Sequence, residues 1–296
     1  MTNGWTAREY GIARFLFATY LAVHFAQLLP WGAEVFSSEG VLPAPASPLL
    51  RLFPNVLAWC DAPAAVTAVL VTALLLTVPF ALGIGGRAAA VALWYLWACL
   101  AGRNPLILNP SLPFVGWLLL LHAALPPARF GSASPRWHFP PPLFAAAWIV
   151  MALGYSYGGY TKLVSPSWID GSALMRVLEN PLARPTFLRD ALLALPAPLL
   201  SAGTWAMLAL ELAFAPLALM RQLRPALWLA MLTLHLALLA LIDFADLSLG
   251  MIVLHLVTFD PAWLHPLAQA NALPVTPERR SKPVQHDPLE KRYPTG

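Results

Sequence analysis

Long apolar runs separated by short polar breaks set the pattern of this chain. Eight such runs stand out: Tyr10–Leu29, Ala64–Leu82, Ala88–Leu100, Leu112–Leu125, Leu143–Lys162, Gly203–Met220, Pro225–Ile242 and Leu247–Phe259. A helix needs roughly 17 to 25 residues to cross a bilayer. The third, fourth and eighth runs are short and would have to tilt differently or extend into their flanks. The pattern predicts an all-α fold, a polytopic integral membrane helical bundle of about eight transmembrane helices, over residues 1–265.

The breaks carry their own signals. Trp31–Pro63 is a long loop broken by Pro43, Pro45, Pro48 and Pro54, expected to lie over the outer face. Arg103–Pro113 is a short polar turn, and Pro126–Pro142 is a basic, proline-bearing linker. Within Ser165–Ala202, the stretches Asp170–Asn180 and Thr186–Leu195 have helical apolar spacing, so interfacial helices are expected after the fifth run. Residues 266–296 are Pro-rich and charged, and are expected to form a disordered cytoplasmic tail. No small-residue cleavage pattern follows the first run, so it reads as an uncleaved helix.

Composition agrees. Of 296 residues, 59% are hydrophobic and only 11% charged, against about 25% charged in soluble domains. The mean hydropathy is +0.65. That much apolar surface cannot be hidden in a soluble globule, so the chain reads as a multi-pass membrane protein, with a bacterial inner membrane as its expected home.

Orientation follows from loop arginines and lysines. Arg8, Arg87, Arg129, Arg136, Arg221, Arg224 and the tail cluster Arg279, Arg280, Lys282, Lys291 and Arg292 fall on one side. Arg51, Arg103, Arg176, Arg184 and Arg189 fall on the other. Both termini are therefore expected to be cytoplasmic. The net charge of +4, to which that tail contributes, calls for no nucleic acid partner. Cys60 and Cys99 both come out near the outer side, and two readings stand: a disulfide, or two unpaired thiols at apolar sites.

Ionisable groups inside apolar runs are the candidates for chemistry. Lys162 ends the fifth run, where it either snorkels to the interface or serves as a base. Gly158 and Gly159, one turn back, would let a helix or a flat ligand approach closely. Tyr155, Tyr157 and Tyr160 fit an interfacial belt equally well. Glu211 lies mid-helix, roughly 12 Å from either end, and His235 lies at similar depth in the next run. They could pair with each other or face a cavity. His24, Asn104, Asn109, Asp243 and Asp246 lie at outer ends and read singly as loop or cap residues. With them, Lys162, Glu211 and His235 all fall in the outer half. His122, His255 and His265 fall toward the other side and receive no role. No metal-ligand spacing, nucleotide loop or nucleophile elbow occurs.

The order of these groups resembles a known family. Gly-Tyr-x-Lys162-Leu-x-x-x-Trp168-x-x-Gly171 is similar to the segment that holds the base lysine of vitamin K-dependent gamma-glutamyl carboxylases, and to the horizontally transferred transmembrane (HTTM) proteins of bacteria. An acidic residue in the next run (Glu211), a histidine in the one after (His235), and Leu247-Ser-Leu-Gly-Met251-Ile continue the likeness, as does the Arg103-Asn104 turn upstream. It covers about residues 8–265.

The resemblance implies an enzyme in which Lys162 is the base, assisted by Asn104, Glu211 and His235. The implied cofactor is a reduced quinone (vitamin K hydroquinone or menaquinol-like), held by Arg103, Tyr155, Gly158, Gly159, Tyr160 and Trp168, with no metal. In the carboxylases the hydroquinone is deprotonated, reacts with O2 to give an epoxide, and the base so formed drives CO2 addition to a peptide glutamate. Those enzymes carry a large luminal domain after their helices, and about 30 polar residues follow the eighth run here. The expectation is thus the quinone-and-dioxygen core, coupled or not to peptide modification. Membrane lipid, a quinone and a peptide substrate are the implied partners. The rival expectation is a non-catalytic transporter, or a maturation partner for a secreted peptide.

Overall fold

The computed structural model describes residues 3–43 and 53–264. The tail 266–296, His265, Pro45, Pro48 and Arg51 lie outside the described residues. The chain divides into a helical unit, Met1–Ala262, and a second unit, Trp263–Gly296.

Among the described residues the fold is helical, with one isolated antiparallel bridge between Ala183 and Ile242. The helices run α1 (Ala7–Leu28), α2 (Gly32–Phe36), α3 (Val56–Trp59), α4 (Pro63–Leu82), α5 (Arg87–Arg103), α6 (Leu112–Ala124), α7 (Pro141–Lys162), α8 (Pro166–Ile169), α9 (Ala173–Glu179), α10 (Phe187–Leu193), α11 (Ala197–Ala218), α12 (Arg224–Leu241) and α13 (Ala245–Thr258). Each of the eight apolar runs is built on one of them: α1, α4, α5, α6, α7, α11, α12 and α13.

Local chemistry sets their ends. Thr6 and Glu9 form a capping box at the start of α1, with the Glu9 carboxylate accepting from the Thr6 amide at 2.7 Å. Prolines open α4, α7 and α11, where a missing N–H costs nothing. Among the described residues, four segments are long and apolar enough to cross a membrane: Ala7–Phe36, Pro63–Leu82, Ala197–Ala218 and Arg221–Leu241. Helices α6 and α13 are shorter apolar helices. Leu75 and Val78 on α4, Ile149 and Leu153 on α7, and Leu229 and Leu236 on α12 are exposed. Outward apolar faces of this kind suit hydrocarbon rather than water.

Two groups of helices form the unit. Helix α1 packs along α4 and α5 along α6; α7 packs along α11 and α12 along α13. Helix α13 also touches α1, α6 and α7, and so joins the groups. Between α7 and α11, the short helices α8, α9 and α10 form a cap. Leu178 of α9 is buried with Leu200 of α11 and Leu241 of α12. The cap is tied to the end of α12 by Arg184 Nη2 and Asp243 Oδ1 at 2.9 Å and by the Asp243 amide donating to the Leu182 carbonyl at 2.7 Å.

Candidate functional site

The contact between α7 and α11 builds the site. A Cβ on Gly159 would sit 2.8 Å from the Leu212 nitrogen and 3.0 Å from the Glu211 Cβ, so only glycine allows this approach. One turn earlier, Ser156 enters the α11 backbone. Its hydroxyl donates toward the Glu211 carbonyl (3.0 Å) and lies 3.3 Å from that of Leu212, while accepting from the Ala215 amide at 2.9 Å. Pro216 has no N–H to give Leu212, so the ladder is broken here, and the hydroxyl bridges the Ala215 amide and the Glu211 carbonyl beside the break. Gly159 and Ser156 together fix Glu211 against the last turns of α7.

In that position Glu211 meets Lys162. The ammonium donates to both carboxylate oxygens, Oε1 and Oε2. The lysine side chain is 27% exposed and the glutamate side chain 8%. Glu211 thus pairs with Lys162, not with His235. The ammonium also lies 4.7 Å from the centre of the Trp168 ring, a cation–π distance.

The segment from Lys162 to Gly171 is pinned to α11. The Trp205 indole donates to the Ile169 carbonyl at 3.1 Å. Gly171 has φ +80, and a Cβ there would meet Ser201 at 2.9 Å and the Trp205 ring at 3.0 Å. Both the left-handed backbone and the close packing require glycine. At the surface of this turn, hydrogen bonds from Ser172 hold the Asp170 carboxyl below the usual carboxylate range.

Lys162 and Glu211 border a cavity of about 680 Å³. Its wall is mostly apolar, with Pro113 and Phe114 from α6, Leu234 and Leu238 from α12, and Leu247 and Met251 from α13. Tyr155, Tyr157, Gly158 and Thr161 line it from α7, and His235 from α12. A Cβ on Gly158 would come no closer than 3.8 Å to Glu211 Oε2, so this glycine leaves open space rather than a tight contact. A neighbouring cavity of about 370 Å³ shares Leu238 and Leu247 with the first and reaches Trp168, Ser167 and Arg176 of the cap.

Behind the cavity lies a chain of rings. Tyr155 Oη is 2.9 Å from His235 Nε2 and 3.5 Å from His255 Nε2. His255 Nδ1 lies 2.9 Å from the Met251 carbonyl. All three residues are buried, and Phe214 packs on the Tyr155 ring.

The remaining sequence candidates sit elsewhere. Tyr160 is 65% exposed and does not line the cavity. Arg103 is fully buried, with its guanidinium donating to Asp61 and to the Leu42 and Pro43 carbonyls. Asn104 donates to the Val35 carbonyl at 2.7 Å and accepts from the Leu106 amide at 3.0 Å. Neither Arg103 nor Asn104 reaches the cavity lined by Lys162. Cys60 is exposed, Cys99 is buried, and both are free thiols.

Three residues escaped the sequence reading. Ser156 carries no signal beyond that of a small residue in an apolar run. His255 falls toward the other side by position, yet it joins Tyr155 and His235; a histidine inside the eighth run is the available signal. Asp246 read as a cap, yet it accepts from Tyr20 (3.0 Å), His24 (2.8 Å) and Asn109 (2.8 Å), linking α1, the turn before α6, and α13. No family model matches the chain, and no curated protein or solved structure matches it.

Proposed function

We propose that this protein is a multi-pass membrane enzyme of about eight spans, with cytoplasmic termini, in a bacterial inner membrane. In this reading the Lys162–Glu211 pair acts as a base toward a membrane-soluble hydroquinone. The observation that carries the reading is the pairing of these two groups on the wall of a large, mostly apolar cavity. A cavity of about 680 Å³ falls within the roughly 300–1,000 Å³ of small-molecule sites. Apolar walls with a few polar groups suit a flat aromatic head with a hydrocarbon tail. The likeness of the Lys162–Gly171 segment to the gamma-glutamyl carboxylases and HTTM proteins supports the same reading.

A hydroquinone bound here supplies an acidic O–H and, with dioxygen, two-electron reducing power. The side chains supply the proton acceptor and the counter-charge. The ion pair is neutral as a unit, and so is its isomer with amine and carboxylic acid. In either form one basic atom, Glu211 oxygen or Lys162 nitrogen, takes the substrate proton. Afterwards the ammonium is left without its anion and stabilises the negative oxygen that remains. The Trp168 face keeps the ammonium beside the cavity when its carboxylate partner is neutralised. Modification of a peptide, carboxylation included, would begin with the same deprotonation.

A transport path would run through polar groups in both halves, His122 and His255 among them. His255 does join Tyr155 and His235 beside the cavity, whereas His122 lies among Tyr10, Phe17 and Phe80, bonded to the Leu118 carbonyl at 2.8 Å, and does not line the cavity, so the polar groups do not continue to it. That favours chemistry over passage.

The test is hydroquinone consumption in membranes carrying Lys162→Ala. Turnover should fall by about 100-fold or more. Unchanged turnover at normal expression ends the assignment. Because Lys162→Ala leaves a buried carboxyl without its cation, Lys162→Met/Glu211→Gln serves as the folded control. It should be equally inactive at near-normal stability.

A further inference from the structure

His235 is 6% exposed, and its Nδ1 is a buried side-chain nitrogen without a hydrogen-bond partner. Among the described residues, Arg14 Nε is the other buried side-chain polar atom in this condition. An orphaned buried polar atom is costly, and such atoms call for an explanation. The second nitrogen of the same ring is engaged with Tyr155 at 2.9 Å, and the residue lines the cavity.

The hydrogens on this chain of rings follow from what each partner can do. The Met251 carbonyl only accepts, so His255 carries its hydrogen on Nδ1 and, when neutral, offers the Nε2 lone pair to Tyr155. The Tyr155 hydroxyl has one hydrogen and two candidate acceptors, His255 Nε2 and His235 Nε2. If it donates to His255, His235 donates through Nε2 to the Tyr155 oxygen, and its Nδ1 is a bare lone pair. If it donates to His235, His235 Nδ1 carries the hydrogen. The number of hydrogens is the same in both arrangements; the hydroxyl turns and the ring exchanges tautomer.

We propose that His235 Nδ1 binds the second ring oxygen of an aromatic diol, the oxygen not facing Lys162, and that it also binds the corresponding dione. As an acceptor it takes the hydroxyl of the reduced ligand. As a donor it takes the carbonyl of the oxidised one. The Tyr155 hydroxyl can turn to either ring, so the chain allows both arrangements; in the second, His255 Nε2 gives up its 3.5 Å contact with the hydroxyl hydrogen while the 2.9 Å contact to His235 is kept. The inference rests on the hydroquinone reading above and assigns a ligand-binding atom within it.

The test uses the full chain in lipid nanodiscs under anaerobic conditions, with a methylnaphthoquinone and its hydroquinone as probes. An asparagine amide reaches where Nδ1 lies, and a glutamine amide where Nε2 lies. His235→Asn should bind both probes within about threefold of the unaltered protein, whereas His235→Gln should bind both about tenfold more weakly, the worth of one hydrogen bond. In ¹⁵N-histidine spectra, assigned by difference from His235→Asn, the His235 signals should report a bare Nδ1 with the hydroquinone and a protonated one with the quinone. Full binding by His235→Gln, or equal losses in the two folded variants, overturns the proposal. So does one tautomer with both probes, the result expected if Nδ1 meets only a bound water. Lys162→Met separates the two ideas. If it consumes hydroquinone under air as fast as the unaltered protein while the Asn/Gln contrast holds, the base reading fails and the His235 site stands. If it loses that turnover while His235→Gln binds normally, the His235 site alone fails. No binding of either probe to the unaltered protein overturns both.

Discussion

Two cations end their helices in the same way and do different work. Arg103 closes α5 and Lys162 closes α7, each in the last turn, where the helix dipole favours positive charge. Arg103 is fully buried, and its donors go to Asp61 and to two backbone carbonyls of the segment that crosses above α5. Lys162 has a single carboxylate partner, an aromatic face beside it, and a cavity in front. The rest of each neighbourhood follows suit. Around Arg103, Asn104 holds the Val35 carbonyl; around Lys162, His235 keeps an unpartnered nitrogen. A buried cation whose donors end on the Asp61 carboxylate and backbone carbonyls holds the chain together. One that shares its charge with a carboxylate at a cavity wall is placed to meet a ligand.

The largest effect should come from breaking the first of these sites. Arg103→Ala removes the bonds to Asp61, Leu42 and Pro43 and opens a void, and should cost about 3–5 kcal/mol. Thermal unfolding in detergent would show it, and hydroquinone affinity measured below the transition should stay as it was. A loss of affinity with unchanged melting would reverse the roles given to the two cations. Gly159→Val comes next, because its Cβ alone meets the α11 backbone at 2.8 Å. Overpacking of that kind costs about 1–3 kcal/mol and should push Glu211 away from Lys162, so activity should fall further than stability.

Ser156→Ala should be milder, about 1–2 kcal/mol, since it takes the hydroxyl from between the Glu211 carbonyl and the Ala215 amide. Melting no lower than that of the unaltered protein would show that the hydroxyl does not hold α7 to α11. The smallest effect is expected of Gly158→Ala, whose Cβ would rest 3.8 Å from Glu211 Oε2. Its stability should stay within about 0.5 kcal/mol. A large change there would mean that the cavity wall is packed more tightly than the contact distances imply.

Much of the site could be read in advance because hydrocarbon makes polar residues conspicuous. Lys162, Glu211 and His235 interrupt apolar runs, and each lines the cavity. Trp168 was legible as part of a spaced segment and proves to face the Lys162 ammonium. Arg103 and Asn104 interrupt the pattern just as visibly, yet their partners are Asp61 and loop carbonyls, which sequence spacing cannot pair with them. His255 was passed over because position along one helix does not reveal which neighbouring helix a ring will touch. Ser156 was hidden for a different reason: its role depends on a proline sixty residues away, on another helix.

The sequence alone determined the helices, because apolar runs bounded by proline and glycine leave the backbone no other way to satisfy its hydrogen bonds in an apolar setting. It also determined which residues were too polar to lie in those helices without a reason. Only the tertiary structure decided who answers whom. Glu211 bonds Lys162 rather than His235 because Gly159 and Ser156 bring α7 and α11 within backbone contact. His235 is thereby left to Tyr155 on one side and to the cavity on the other. That choice depends on distances of a few ångströms between helices far apart in the chain, which hydrophobic periodicity does not encode.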